Sequence, residues 1–286
     1  MKKLIVNFTP TGMIPTKKMT KYIPLTPEEI IRDVKDAYSV GISMAHIHVR
    51  DENGNPHYSK ELYKRVIAGI REFAPELVIC ASTSGRIHME FEQRSNVLLL
   101  EGDLKPDMGS LTLSSLNFNK NASINEPELI KKLAGMMKER GIRPELEAFD
   151  SGMINYSKYL IKKELLTPPY YFNLILGNIA CAQANLLSAG LMISELPENS
   201  IASFGGIGND QLKMNSMAVS MGFGVRVGLE DNIWFDNMRT SLATNVMLVK
   251  RIHSIANANN RDVMTPLELR DILKLQDGNG KYGIVC

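Results

Sequence analysis

Short runs of apolar, often β-branched residues alternate along this chain with longer stretches in which apolar positions recur every three or four residues. The short runs predict strands at residues 4–8, 43–49, 78–82, 108–113, 145–149, 171–176, 201–204 and 225–229. The longer stretches predict helices between them. One opens at Thr26, where Pro27 suits a first turn and Glu29 completes a Thr-x-x-Glu capping box. Others span 59–73 and 88–99, and a fourth opens around Asn125 and Pro127. A last helix after Thr265 and Pro266 stands outside the repeat.

Eight strand–helix units in 286 residues predict a (β/α)8 TIM barrel that fills residues 1–286 as one domain, with an extra C-terminal helix. An open doubly wound sheet gives the same local signals. Its phosphate fingerprint is missing, because Gly205, Gly206 and Gly208 follow the seventh strand without the dinucleotide spacing or the downstream acid.

Composition narrows the function classes. Lys plus Arg number 33 against 31 Asp plus Glu, with no long block of one sign, which argues against nucleic acid as a partner. The apolar stretch after Lys2 and Lys3 ends at Asn7, too soon for a signal-peptide core, and no run is long enough to cross a membrane. Cys80, Cys181 and Cys286 lie far apart without a Cys-x-x-Cys spacing, as expected of free thiols in a reducing compartment. These features predict a cytoplasmic protein without a membrane partner. Cys80, at the end of a strand, is either a packing thiol or a catalytic one.

His46 and His48 lie two apart near the end of the second strand, so both imidazoles point to one face, and barrel active sites sit at that end. Glu230 occupies the matching place after the eighth strand. In a closed barrel strands two and eight both flank strand one, about 10 Å apart, within reach of a shared metal ion. Two histidines and a carboxylate leave coordination positions open, as in a catalytic zinc or non-haem iron site. Asp231 is the alternative ligand, since adjacent residues of an extended chain face opposite ways. His57, His88 and His253 fall in loop or helix contexts and are read as structural.

The segments Pro24-Leu25-Thr26-Pro27-Glu28-Glu29-Ile30, Ala45-His46-Ile47-His48-Val49-Arg50-Asp51, Pro144-Glu145-Leu146-Glu147-Ala148-Phe149-Asp150 and Val225-Arg226-Val227-Gly228-Leu229-Glu230-Asp231-Asn232 together resemble the β-keto acid cleavage enzymes. The likeness covers nearly the whole chain. It implies a (β/α)8 barrel, zinc on His46, His48 and Glu230, and a homotetramer. It also implies a reaction between a β-keto acid and acetyl-coenzyme A that releases acetoacetate and a new acyl-coenzyme A.

Zinc would polarise the oxygens of a chelating β-keto acid. Asp231 is the expected base, with Arg226 orienting it or the substrate carboxylate, unless the two form only a structural ion pair. By the same resemblance Ser82, Gly85 and Ser110 are substrate-binding candidates, with Ser82 also a donor to a developing oxyanion. Glu145 and Glu147 share a strand face that an apolar interior would not accept unpartnered. Glu147 is placed with the substrate contacts, and a salt-bridged role for either remains open.

In relatives that act on the amino-bearing 3-keto-5-aminohexanoate, a glutamate after the first strand can pair with the ammonium. Here Met13 and Ile14 occupy that loop, so a substrate without a cationic group is expected. Lys17, Lys18 and Lys21 are read as a solvated cluster, a contact for coenzyme A phosphates, or part of a subunit interface.

Two rivals stand beside this reading. Amidohydrolase-type enzymes also use His-x-His inside a barrel, but on the first strand and with further histidines later. A non-catalytic small-molecule-binding barrel would keep the metal without turnover.

Overall fold

The computed structural model describes residues 2–285, so Cys286 lies outside the described residues. Eight parallel strands close a barrel: β1 (Val6–Phe8), β2 (Met44–Ile47), β3 (Val78–Ala81), β4 (Met108–Thr112), β5 (Arg143–Ala148), β6 (Tyr170–Leu176), β7 (Ser200–Gly206) and β8 (Gly224–Val227). β1 pairs with both neighbours, Asn7 opposite Arg226 on one side and Met44 on the other, which brings the second and eighth strands within reach of each other.

Helices α1 (Pro27–Val40), α2 (Lys60–Arg71), α3 (Phe91–Arg94), α4 (Pro127–Arg140), α5 (Ser151–Lys162), α6 (Leu186–Ser194), α7 (Asp210–Met221) and α8 (Asn245–Ala258) come after the eight strands in turn. The capping box on α1 forms as its sequence dictates, Thr26 accepting from the Glu29 amide while the Glu29 carboxylate accepts from that of Thr26.

Two expected elements are divided. The predicted strand 43–49 leaves the barrel after Ile47, and Val49–Arg50 pairs antiparallel with Pro56–His57. The cause is local: Asp51 Oδ1 accepts from the amides of Asn53 and Asn55, and Gly54 takes a φ of 78° that closes the turn. The predicted helix 88–99 is only α3 followed by a 3-10 turn at Asn96–Leu99. There the Asn96 side chain turns away to accept from the Lys60 amide at the start of α2.

Between strands and helices lies an apolar shell that includes Val6, Phe8, Ala45 and Ile47, the outward members of their strands. Inside the barrel the layers differ. Ile5, Met44, Val78, Met108 and Tyr171 form an apolar floor, closed from below by Leu269 and Leu273 of α9 (Pro266–Ile272) and the residue after it. The extra C-terminal helix is therefore the barrel's plug. It is pinned by Asp107, whose carboxylate accepts from Arg270 Nη1 and Nη2 and Arg71 Nη2, each at 2.9 Å, and from the Ile79 amide at 3.0 Å.

Above that floor the interior turns polar. Asn7 Nδ2 donates to Glu145 Oε1 at 2.7 Å and approaches Tyr171 and Asn173, while the Tyr171 hydroxyl meets Ser203 at 2.8 Å. The next layer up is the site.

Candidate active site

His46 is the last inward residue of β2 and His48 lies one residue past its end, where the chain is still extended. Their Nε2 atoms face each other at 3.2 Å. The loop after β8 returns Glu230 to the same point, its Oε1 3.2 Å from His48 Nε2. Two glycines allow this. A Cβ on Gly228 would lie 2.0 Å from the Thr9 carbonyl, so only glycine lets the loop after β8 cross the end of β1. A Cβ on Gly12 would lie 2.4 Å from Glu230 Cγ, so that glycine clears the space the carboxylate arm fills. Arg50 holds the Gly12 loop in place, donating from Nη2 to the carbonyls of Gly12 (2.6 Å) and Pro15 (3.1 Å).

Beneath the pair, His46 Nδ1 faces Glu145 Oε2 at 2.5 Å, so the neutral ring carries its proton there and its lone pair on Nε2. Burial disfavours an imidazolium at His46, yet the Glu145 and Glu230 carboxylates outweigh it and lift the ring to about 9. Burial pushes His48 down, with Glu230 only partly opposing. Glu230 is held well below the usual carboxylate range because Arg226, His48 and His46 together overcome its burial.

These three residues bring ligand atoms within 4.8 Å of one another, and Glu230 Oε2 is a buried acceptor with no hydrogen-bond partner. An orphaned carboxylate oxygen beside two facing imidazole nitrogens fits a divalent cation that accepts mixed nitrogen and oxygen donors. Glu145 behind His46 is the carboxylate that commonly fixes a ligating imidazole's tautomer. Cys80 also approaches Glu145 Oε2, at 3.3 Å, but burial first and Glu145 second hold its thiol well above the usual range, as for a protonated packing group.

Arg226 of β8 gathers the carboxylates. Its Nε donates to Asp231 Oδ2 at 2.9 Å and its Nη2 to Glu230 Oε1 at 2.7 Å, while Nη1 lies 3.5 Å from Glu147 Oε1. Gly205 on β7 makes room for its stem, a Cβ there falling 3.2 Å from Arg226 Cδ. Burial pushes Asp231 up, Arg226 pulls it back, Glu230 adds to the rise, and the carboxyl settles at about 6. Glu147 also accepts from Thr112 Oγ1 at 2.7 Å.

A cavity of ≈ 650 Å3 opens over the C-terminal ends of the strands, and His48, Ser82, Glu147, Arg226, Glu230 and Asp231 all contribute to its wall. Met13 and Ile14 line it from the loop after β1. Ser110 and Gly85 do not reach it. The Ser110 hydroxyl accepts from the Thr83 amide at 3.0 Å and ties β4 to the end of β3. Gly85 packs where a Cβ would strike Arg94 and the Ile124 carbonyl. His253 and His88 approach the carbonyls of Gly41 and Pro56, and His57 accepts from the Ser59 amide. Lys17 pairs with Glu29 away from the cavity.

Sequence reasoning passed over Arg50, Arg86, Gly12 and Thr112. The first two lie in loops after barrel strands, the end at which such sites are built, and of the two only Arg86 lines the cavity.

The sequence profile of the beta-keto acid cleavage enzymes matches residues 3–275. The chain is 36% identical over 278 residues to a 3-keto-5-aminohexanoate cleavage enzyme of Fusobacterium nucleatum, covering 96% of this chain and 99% of that protein. It is 30% identical over 274 residues to a 3-oxoadipate:acetyl-CoA acetyltransferase of Cupriavidus necator, covering 95% and 94%. Among solved structures, the apo structure of ObcA superposes with a TM-score of 0.79 at 19% identity, over 88% of this chain and 65% of that one.

Proposed function

The chain belongs to the beta-keto acid cleavage enzyme family, and on that premise we propose a zinc enzyme whose ion is held by His46, His48 and Glu230. The reaction is an acyl exchange in which a β-keto acid and acetyl-coenzyme A give acetoacetate and a new acyl-coenzyme A. One observation carries the zinc reading: two imidazole nitrogens and a carboxylate with an orphaned buried oxygen converge at the base of the large cavity. When bound, zinc supplies a Lewis acid for the oxygens of the β-keto acid.

The chain's own groups supply the rest. Asp231, poised near 6, is the base that takes a proton from the carbon between the two carbonyl groups of the substrate. Arg226 fixes that carboxylate through Nε, while its Nη1, without a hydrogen bond, stays in ion-pair contact with Glu147. Ser82 offers a hydroxyl at the cavity wall for oxygen that gains negative charge.

The coenzyme's phosphates find cations at the exposed rim, at Lys120 and Arg239. The homotetramer that the family resemblance implies needs apolar contact surface, and α6 offers some, with Leu186 and Leu187 76% and 85% exposed. No helix among the described residues is long and apolar enough to cross a membrane, in keeping with a cytoplasmic enzyme.

The test is direct. Purified protein should contain zinc near one equivalent, and should form acetoacetate from acetyl-coenzyme A and a member of a β-keto acid panel. His48→Ala should remove both metal and turnover. Turnover that survives complete metal removal would refute the zinc reading.

A further inference from the structure

Every carboxylate on the cavity wall is engaged: Glu230 and Asp231 accept from Arg226, and Glu147 is held by Thr112 and Arg226. One guanidinium is not. Arg86, in the loop after β3, lines the cavity half-buried, with no side-chain hydrogen bond and no carboxylate within ion-pair distance among the described residues. Its guanidinium carbon lies over the Phe118 ring, 3.4 Å from the centroid, a contact that holds the group without neutralising it. Burial lowers its proton affinity, opposed by the charges of Glu230, Glu147 and Asp231, so it stands near enough to the reacting centre to feel them. An unpaired, partly desolvated cation on a cavity wall offers its N–H donors to whatever enters.

The rest of the wall says what that is. The loop after β1 offers Met13 and Ile14 and no acid, and the one buried carboxylate oxygen without a partner among the described residues, Glu230 Oε2, sits at the proposed metal position and not in that loop as a partner for an ammonium. Coenzyme A carries its phosphates at the far end of the pantetheine arm, remote from the thioester, which suits the exposed rim cations better than the half-buried Arg86. A planar fork near the reacting centre matches a second carboxylate.

We propose that Arg86 anchors a carboxylate at the distal end of the β-keto acid, so that the substrate class is the dicarboxylic 3-oxo acids. This rests on the β-keto acid reading of the site, and deepens it.

The experiment uses zinc-loaded full-length enzyme, acetyl-coenzyme A, and two 3-oxo acids of equal length, one ending in a carboxylate and one in a methyl group. The ratio of their kcat/KM values for acetoacetate formation should favour the dicarboxylic acid. Arg86→Met should lower that ratio roughly 30-fold or more, the worth of a charge-assisted hydrogen bond, and Arg86→Lys should restore part of it. The KM for the acid should move far more than that for acetyl-coenzyme A. A wild-type ratio favouring the methyl-ended acid, or a ratio unmoved in Arg86→Met, overturns the inference. So does a defect confined to the KM for acetyl-coenzyme A, which would assign Arg86 to a phosphate. Calorimetry with a saturated dicarboxylate and a monocarboxylate of equal length separates the two levels. Arg86-dependent dicarboxylate binding without acetoacetate formation would sink the reaction assignment and leave the anchor standing. Acetoacetate formed with no preference would do the reverse.

Discussion

At the scale of single residues, most charged groups around the metal ligands have a fixed partner. Glu145 is the clearest instance: one oxygen accepts from Asn7 and the other from His46, so the carboxylate sets which imidazole nitrogen faces the ligand position. Glu145→Gln keeps the shape but removes the charge that orients the ring. Zinc affinity should fall about 10- to 100-fold, the usual weight of such a partner, as read by competition with a chelator. An unchanged affinity would mean His46 is oriented by packing alone. Cys80 shows the converse, a buried thiol beside carboxylate that packs as a small apolar group.

The strands matter most at their C-terminal ends, where the connecting loops meet. Those after β1 and β8 approach so closely that Gly12 and Gly228 have no space for a side chain. Gly12 also takes a φ of 64°, which a β-carbon resists. Gly12→Ala would push Glu230 out of line with the imidazoles while leaving the barrel strands intact. The expected result is loss of stoichiometric zinc with a near-native circular dichroism spectrum, and retention of full metal content would contradict it. Arg50 belongs to the same device. In the sequence it is only one member of a histidine-containing motif, yet its function is to staple the Gly12 loop to the hairpin after β2 through Gly54.

At the scale of the whole molecule, the two ends of the barrel have separate tasks. The N-terminal end is closed by α9, and Asp107 binds that plug through Arg270 and ties it to Arg71 of α2. Although burial opposes the Asp107 charge, the two guanidiniums and the Ile79 amide hold its carboxyl below the usual value. Asp107→Asn strands two buried cations and should cost about 3–5 kcal/mol. The folded protein binds this proton less readily than the unfolded chain. The stabilisation is therefore complete above the unfolded carboxylate value of about 3.9, and is lost as pH falls through the lowered folded value. Urea denaturation should show the gap between wild type and Asp107→Asn narrowing below about pH 4. A gap independent of pH would assign the effect to shape alone. On the outer surface, Leu187→Glu on α6 should leave urea stability within about 0.5 kcal/mol and reduce the assembled mass in sedimentation. A mass that does not change would move any subunit contact elsewhere.

The barrel was legible in the sequence because its cause is local. Strand runs such as 78–82 and cap signals such as Thr26 with Glu29 act within a few residues, and eight repeats of them admit few closed arrangements. The pairing of His46 with His48 was legible for the same reason, since a two-residue spacing on extended chain sets a common face. Their meeting with Glu230 needed only the rule that strands eight and two flank strand one, which the register of β1 bears out. Ser110 and Thr112 show where such reading stops. Both sit on β4 two residues apart, yet Ser110 spends its hydroxyl on the Thr83 amide and only Thr112 reaches the cavity. Likewise Arg86 and Arg226 are both arginines near strand ends, and only the folded chain makes one a hub for carboxylates and leaves the other unpartnered. Spacing along a chain fixes direction, because backbone geometry is periodic. Which polar groups satisfy each other depends on distances between residues far apart in sequence, and those are set only when the barrel closes.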